Sequence, residues 1–160
     1  LSNIKVIFLD IDGVLNFLGS THFKHGGVYG IVPQLLSYLN YIIEQTDAKI
    51  VVSSSWRLGG IGSDSSFYKE MLKRSRELNN YSAFNSVIGF TCDRNDAHRG
   101  KEILQWIEEN NIKKFAILED EPSGSGLYDI PLFTNCIFDT DMNIGLSAKI
   151  ADSAINHLNK

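Results

Sequence analysis

Apolar residues follow two rhythms along this chain. Short runs that are apolar at nearly every position occur at Ile4-Lys5-Val6-Ile7-Phe8-Leu9, Ile50-Val51-Val52, Val87-Ile88-Gly89-Phe90, Phe115-Ala116-Ile117-Leu118 and Cys136-Ile137-Phe138. A strand with one wet face would alternate apolar and polar residues, so these runs predict strands buried on both faces. Between them the apolar positions recur every three or four residues. Val32, Leu35, Leu36, Leu39, Ile42 and Ile43 share one helical face, with Pro33 in the first turn, where its missing N–H is harmless. The pattern predicts a second helix over 67–78, carrying Lys69, Lys73, Arg74 and Arg76. It predicts a third with Ile103, Trp106 and Ile107 on its core face, closing at Asn110-Asn111. Ser147 reads as the N-cap of a last helix that buries Ile150, Ala151, Ala154, Ile155 and Leu158. Strands alternating with helices imply right-handed crossovers and a mostly parallel sheet covered on both faces, a Rossmann-like α/β/α sandwich of three layers. Two connections are long, 11–30 and 120–132, and long loops in such domains commonly carry function.

Composition narrows the class. A chain of 160 residues corresponds to one domain, 1–160, large enough for its own core. With 43% hydrophobic and 21% charged residues it is neither disordered nor low-complexity. Fifteen Lys and Arg against nineteen Asp and Glu give a net charge of −4, which argues against a protein that coats duplex nucleic acid by counterion release. No apolar run approaches the ~18 residues of a membrane helix, so no membrane partner is expected. The first residues lack the charged start and apolar stretch of a signal peptide, and Cys92 and Cys136 have no C-x-x-C spacing. Two reduced, buried thiols in a cytoplasmic protein are the expectation.

The candidate chemistry lies where the strands stop. In an open parallel sheet, ligands bind beyond the carboxyl ends of the strands. The first strand runs into Asp10-Ile11-Asp12-Gly13, the second into Ser53-Ser54-Ser55-Trp56-Arg57, and the fourth into Glu119-Asp120-Glu121. Asp, Ser and Gly also follow strands simply to cap helices and make turns. Three such clusters on one edge, however, bring several carboxylates together. Two unit charges ~4 Å apart repel by roughly 4 kcal/mol at an effective dielectric near 20, so the cluster calls for protons or a cation. Hard oxygen donors point to Mg²⁺.

These residues resemble a known pattern. Phe8-Leu9-Asp10-Ile11-Asp12-Gly13-Val14-Leu15 is similar to the first motif of the haloacid dehalogenase (HAD) superfamily of phosphotransferases. Val51-Val52-Ser53 resembles the second motif, a basic residue opening a helix the third, and Ile117-Leu118-Glu119-Asp120 the acidic fourth. More narrowly, Ala48-Lys49-Ile50-Val51-Val52-Ser53-Ser54-Ser55-Trp56-Arg57, Arg99-Gly100-Lys101-Glu102-Ile103 and Gly145-Leu146-Ser147 resemble the HAD domain of Swiss-army-knife RNA repair proteins. The resemblance implies that Asp10 is a nucleophile that forms an aspartyl phosphate, and that Asp12 is the acid and then the base. It implies Mg²⁺ held by Asp10, the Asp12 carbonyl, Glu119 and Asp120, with Asp120 favoured over Glu119 as the direct ligand. Ser53 would hydrogen-bond a phosphoryl oxygen. Alignment of the third motif places Arg99 as the cation, with Lys101 as the alternative. Ser54 and Arg57 would contact substrate, and His22, Lys24 and His25 lie in the loop after the first motif. His98 is expected in a surface loop.

The expected activity is therefore Mg²⁺-dependent hydrolysis of a phosphomonoester, on a small phosphorylated molecule such as a nucleotide or on a nucleic-acid end. A phosphate-binding module that has lost catalysis is the alternative; it predicts damaged motifs, whereas Asp10, Asp12, Ser53 and Asp120 are all present. Dehalogenation would need neither the acidic fourth motif nor Asp12. With the core using most of the chain, only 16–30 and 59–66 remain to cover the site, so a minimal cap or none is expected.

Overall fold

Five parallel strands form the sheet, in the order β3-β2-β1-β4-β5, in a computed structural model that describes residues 4–20, 30–56, 66–93 and 98–160. In chain order the elements are β1 (Lys5–Leu9), α1 (Pro33–Thr46), β2 (Lys49–Val52), α2 (Ser66–Leu78), α3 (Ser82–Ser86), β3 (Val87–Phe90), α4 (Arg99–Asn110), β4 (Lys114–Glu119), β5 (Ile137–Asp139) and α5 (Ala148–Asn159). A short 3-10 turn, Pro131–Phe133, precedes β5. The expected α/β class with a parallel, three-layered arrangement is what forms.

The two-residue period of β1 explains the layers. Ile7 and Leu9 join a core with α1, α2, α3 and α5, while Val6 and Phe8 point the other way, into a core with α4, Leu127 and Phe133. All four are fully buried, as befits a central strand. Each contributes roughly 1.5–3 kcal/mol of burial free energy. The two faces are covered unequally: four helices on one, and α4 with the 120–136 segment on the other.

Topology places the site. The chain moves outward from β1 to β2 and β3, then returns along α4 to lay β4 on the other side of β1. The order therefore reverses between β1 and β4, and their carboxyl ends open a crevice there. Register aligns Leu9 with both Val52 and Leu118, so Asp10, Ser53 and Glu119 emerge at nearly one level.

Several local expectations hold. Pro33 opens α1, Asn111 closes α4 in the left-handed region at φ 52°, and Ser147 Oγ accepts from the Ile150 N–H at 3.3 Å. Others need correcting. The five-residue α3 is too short to leave a periodic signature and is fastened by a distant partner, since the Ala83 N–H donates to Asn40 Oδ1 at 2.8 Å. Neither cysteine is buried: Cys92 is exposed and Cys136 half-buried, though both are free thiols as expected. The basic stretch of α2 is partly neutralised, because Arg74 pairs with Glu70 and Glu77. Among the described residues no helix is long and apolar enough to cross a membrane.

Candidate active site

After Leu9 the chain leaves the sheet in a tight turn, in which the Val14 and Leu15 amides both donate to the Ile11 carbonyl. This turn carries Asp10 and Asp12 to one side of the crevice. At its apex Gly13 has φ +74°, a left-handed conformation that glycine adopts without strain. It has a second reason to be glycine: an added Cβ would lie 2.1 Å from Asp120 Oδ2, so the Asp120 carboxylate rests on the bare Gly13 backbone. Thr140, just beyond β5, fixes the turn from below by donating from Oγ1 to the Gly13 carbonyl at 2.8 Å.

Across the crevice, Glu119 ends β4 and Asp120 follows it. One carboxylate oxygen from each of Asp10, Glu119 and Asp120 lies within 4.8 Å of the others. Asp10 and Glu119 are 5% and 1% exposed, so water screens their mutual repulsion poorly. A cation enters from α4: Arg99 Nη1 lies 3.3 Å from Asp10 Oδ1 and 2.5 Å from Glu119 Oε2. The remaining oxygen of Glu119 accepts from the Asp120 and Glu121 amides, each at 3.2 Å.

Among the described residues one guanidinium faces three carboxylates, and burial and mutual repulsion set their pKa values. Burial, then the charge of Glu119, raises the Asp10 pKa well above the usual carboxylate value, against the pull of Arg99 and the Ile11 amide. Asp120 is pushed up to about 7, first by burial and then by its hydrogen bond to Glu119 and the Glu119 charge. Burial works against the charge of Arg99, but Asp10 and Glu119 outweigh it and raise its pKa above the ordinary value. Excess negative charge on hard oxygen donors, in a place too dry to screen it, is compatible with a divalent cation.

These groups line a cavity of about 310 Å³. Its wall includes Asp10, Asp12, Arg99, Glu119 and Asp120, with Ser55 on the β2 side and Glu121, Gly124 and Ser125 opposite. Of the residues expected to act, Ser53, Ser54 and Lys101 are not on this wall. The Ser53 amide still pairs with the Leu9 carbonyl, and the fully buried Ser54 turns its Oγ to the Trp56 amide at 3.3 Å, which leaves Ser55 facing the cavity. Lys101 lies two residues along α4 from Arg99, about 200° round the helix, and is exposed. Arg57, with His22, Lys24 and His25, lies outside the described residues.

Asp12 has partners that its sequence neighbourhood did not suggest. Its Oδ1 accepts from Asn16 Nδ2 at 2.8 Å, and the Trp56 indole N–H donates to both of its oxygens at 3.1 Å. Asn16 is fully buried and also accepts from the Gly13 amide at 3.0 Å. His98, expected in a surface loop, is instead the N-cap of α4 and accepts from the Lys101 amide at Nδ1, 3.2 Å away. Its ring covers Gly126, where an added Cβ would come within 2.5 Å. Next to it the Gly100 amide donates to the Ser125 carbonyl at 3.0 Å. The start of α4, and Arg99 with it, is thus clamped to the segment that follows Asp120. Glycines at 100 and 126 were the available signal for this close approach.

Comparison with curated proteins and with solved structures gives no significant match. Comparison with protein families matches residues 6–151, a span that contains every strand end described above, to the HAD domain in Swiss Army Knife RNA repair proteins. The chain belongs to that HAD domain family.

Proposed function

We propose that this protein is a Mg²⁺-dependent phosphomonoester hydrolase that works through an aspartyl phosphate on Asp10. The observation that carries the reading is the cluster of Asp10, Glu119 and Asp120, with Arg99 paired to the first two, lining one cavity together with Asp12. A Mg²⁺ ion held by Asp10 and Asp120, with Glu119 behind them, would supply the positive charge that keeps the carboxylates ionised and neutralises phosphoryl oxygens.

The chain's own groups perform the transfer. An Asp10 oxygen forms a bond to phosphorus as the bond from phosphorus to the leaving oxygen breaks, and Asp12 gives that oxygen its proton. Asp12, now a carboxylate, takes a proton from water as the water oxygen attacks phosphorus and frees Asp10. Arg99 stands beside the nucleophile, where charge develops on the transferred group. Glu119 holds Arg99 and receives two backbone amides, so it serves as the rigid base of the cluster, while Asp120 faces the cavity as the direct ligand. The family's description in terms of RNA repair supports phosphorylated nucleic-acid ends as the substrate class.

The test is phosphate release from a panel of 3′- and 5′-phosphorylated oligonucleotides, nucleotides and sugar phosphates, with Mg²⁺ and with EDTA, beside Asp10→Asn. Turnover by the wild type that EDTA and Asp10→Asn both abolish is expected. Equal turnover by the two proteins overturns Asp10 as the nucleophile.

A further inference from the structure

The reaction requires Asp12 to give a proton to one atom and take one from another, so its carboxylate must be aimed. The turn fixes its backbone, but the side chain projects toward the cavity and needs partners of its own to fix the carboxyl. Two side chains from different strand ends hold it instead. Asn16, within the turn after β1, donates to Oδ1 at 2.8 Å. Trp56, in the turn after β2, lies on the far side and shares its N–H between Oδ1 and Oδ2 at 3.1 Å each.

We propose that Trp56 is a positioning residue for proton transfer by Asp12, and that Asn16 makes Oδ2 the transferring oxygen. This inference rests on the phosphatase reading above. The hydrogen bonds are unequal between the two oxygens: Oδ1 receives the Asn16 amide and half of the indole N–H, while Oδ2 receives only the other half. The less occupied oxygen is the one with a lone pair for the leaving group or water. An indole N–H can donate but never accept, so it cannot itself relay the proton; it can only orient the carboxylate. The orientation is rigid because Trp56 is packed against the larger core and its own amide donates to Ser54 Oγ at 3.3 Å. The Ser-Trp pair after β2 thereby acts on the acid two residues beyond β1, a link between the first two strand ends that runs through Asp12 rather than through substrate.

Positioning of an acid has a signature that packing lacks. A p-nitrophenolate leaves readily without a proton, whereas an alkoxide needs one, so misplaced acid catalysis harms alkyl phosphates selectively. Trp56→Phe retains a ring and removes the N–H. Its kcat/KM, which reports the step in which the leaving group departs, is expected to fall on the order of tenfold further on an alkyl phosphate such as a nucleoside 5′-monophosphate than on p-nitrophenyl phosphate, within the 10²–10⁴-fold range of general acid catalysis. The water step that both substrates share enters kcat alone. In an Asp12→Asn background the same change should produce no further selective loss. If Trp56→Phe does not fold by circular dichroism, 3-benzothienylalanine at position 56, which replaces the N–H by sulfur in the same ring outline, makes the same comparison. An equal fall in kcat/KM on both substrates, or no fall on either, overturns the positioning role while leaving the phosphatase reading standing. A wild type inert on both substrates with Mg²⁺ overturns the phosphatase reading, and the positioning role with it.

Discussion

Asp10 and Asp12 leave the same strand two residues apart, yet they live in opposite surroundings. Asp10 is buried against Glu119 and Asp120, with part of one guanidinium, among the described residues, to answer the charge. Asp12 is met by neutral donors, Asn16 and Trp56, and by no carboxylate of that cluster. One carboxylate is electrically frustrated and the other is simply steered. The turn between them creates the difference: Asp10 still lies at the level of the sheet, where β4 delivers its acids, whereas Asp12 has rotated out toward the end of β2. Adjacent positions in a motif thus acquire different chemistry from whichever strand end each one faces.

The comparison can be broken most forcefully at Arg99. Replacing it by Met keeps the apolar stem and strips the only described cation from the Asp10 side, leaving buried carboxylates without a counter-charge. Breaking such a pair typically costs about 3–5 kcal/mol. Urea denaturation of the metal-free protein at pH 8 should register a loss of that order, and saturating Mg²⁺ should recover much of it. A loss below about 1 kcal/mol would mean that the Asp10 side is not strained at all.

A smaller effect sharpens the comparison through pH. The Asp120 carboxyl is raised from its ordinary 3.8 to about 7, so between those values the folded chain binds a proton that the unfolded chain does not. Its contribution to stability is complete below pH 3.8 and is lost as pH rises through about 7. With EDTA present, the Tm should therefore drop from pH 5 to pH 8. Mg²⁺ should raise the Tm more at pH 8 than at pH 5. At this chain length each kcal/mol moves the Tm by about 2–4 °C, so thermal scans at the two pH values resolve the trend. A Mg²⁺ shift that is larger at pH 5 would contradict the assignment of the cluster.

The smallest perturbation belongs to the steered side. Asn16→Ala removes the Asp12 anchor and the acceptor for the Gly13 amide, and an unsatisfied buried donor costs about 1–3 kcal/mol. Chemical denaturation should find that loss independent of Mg²⁺, in contrast with Arg99→Met. Equal Mg²⁺ dependence of the two losses would erase the distinction between the two sides.

Much of this was legible in the residues. The apolar runs end abruptly at Asp10, Ser53 and Glu119, and a run that ends in an acid marks a strand's exit as well as a candidate ligand. The resemblance to the family's third motif offered Arg99 or Lys101 as the cation, and of the two Arg99 lies beside Asp10. What escaped was long-range and angular. Trp56 reaches Asp12 across 44 positions, and nothing in its neighbourhood distinguishes a donor aimed at a carboxylate from a ring buried for packing. Ser55 rather than Ser53 or Ser54 faces the cavity because pairing persists one residue beyond β2, a shift that no propensity specifies. Arg74 looked like part of a basic face until Glu70 and Glu77, four and three positions from it, claimed it.

The clamp at the start of α4 has a mechanical meaning. Because Gly100 is bonded to Ser125 and His98 lies flat on Gly126, the helix that brings the guanidinium and the segment leaving Asp120 form one lever rather than two. A substrate leaning on 121–126 would carry the cation and the acids along together. The spacing of Arg99 from Glu119 would survive such breathing, and what would change is the distance of that pair from Asp10 and Asp12.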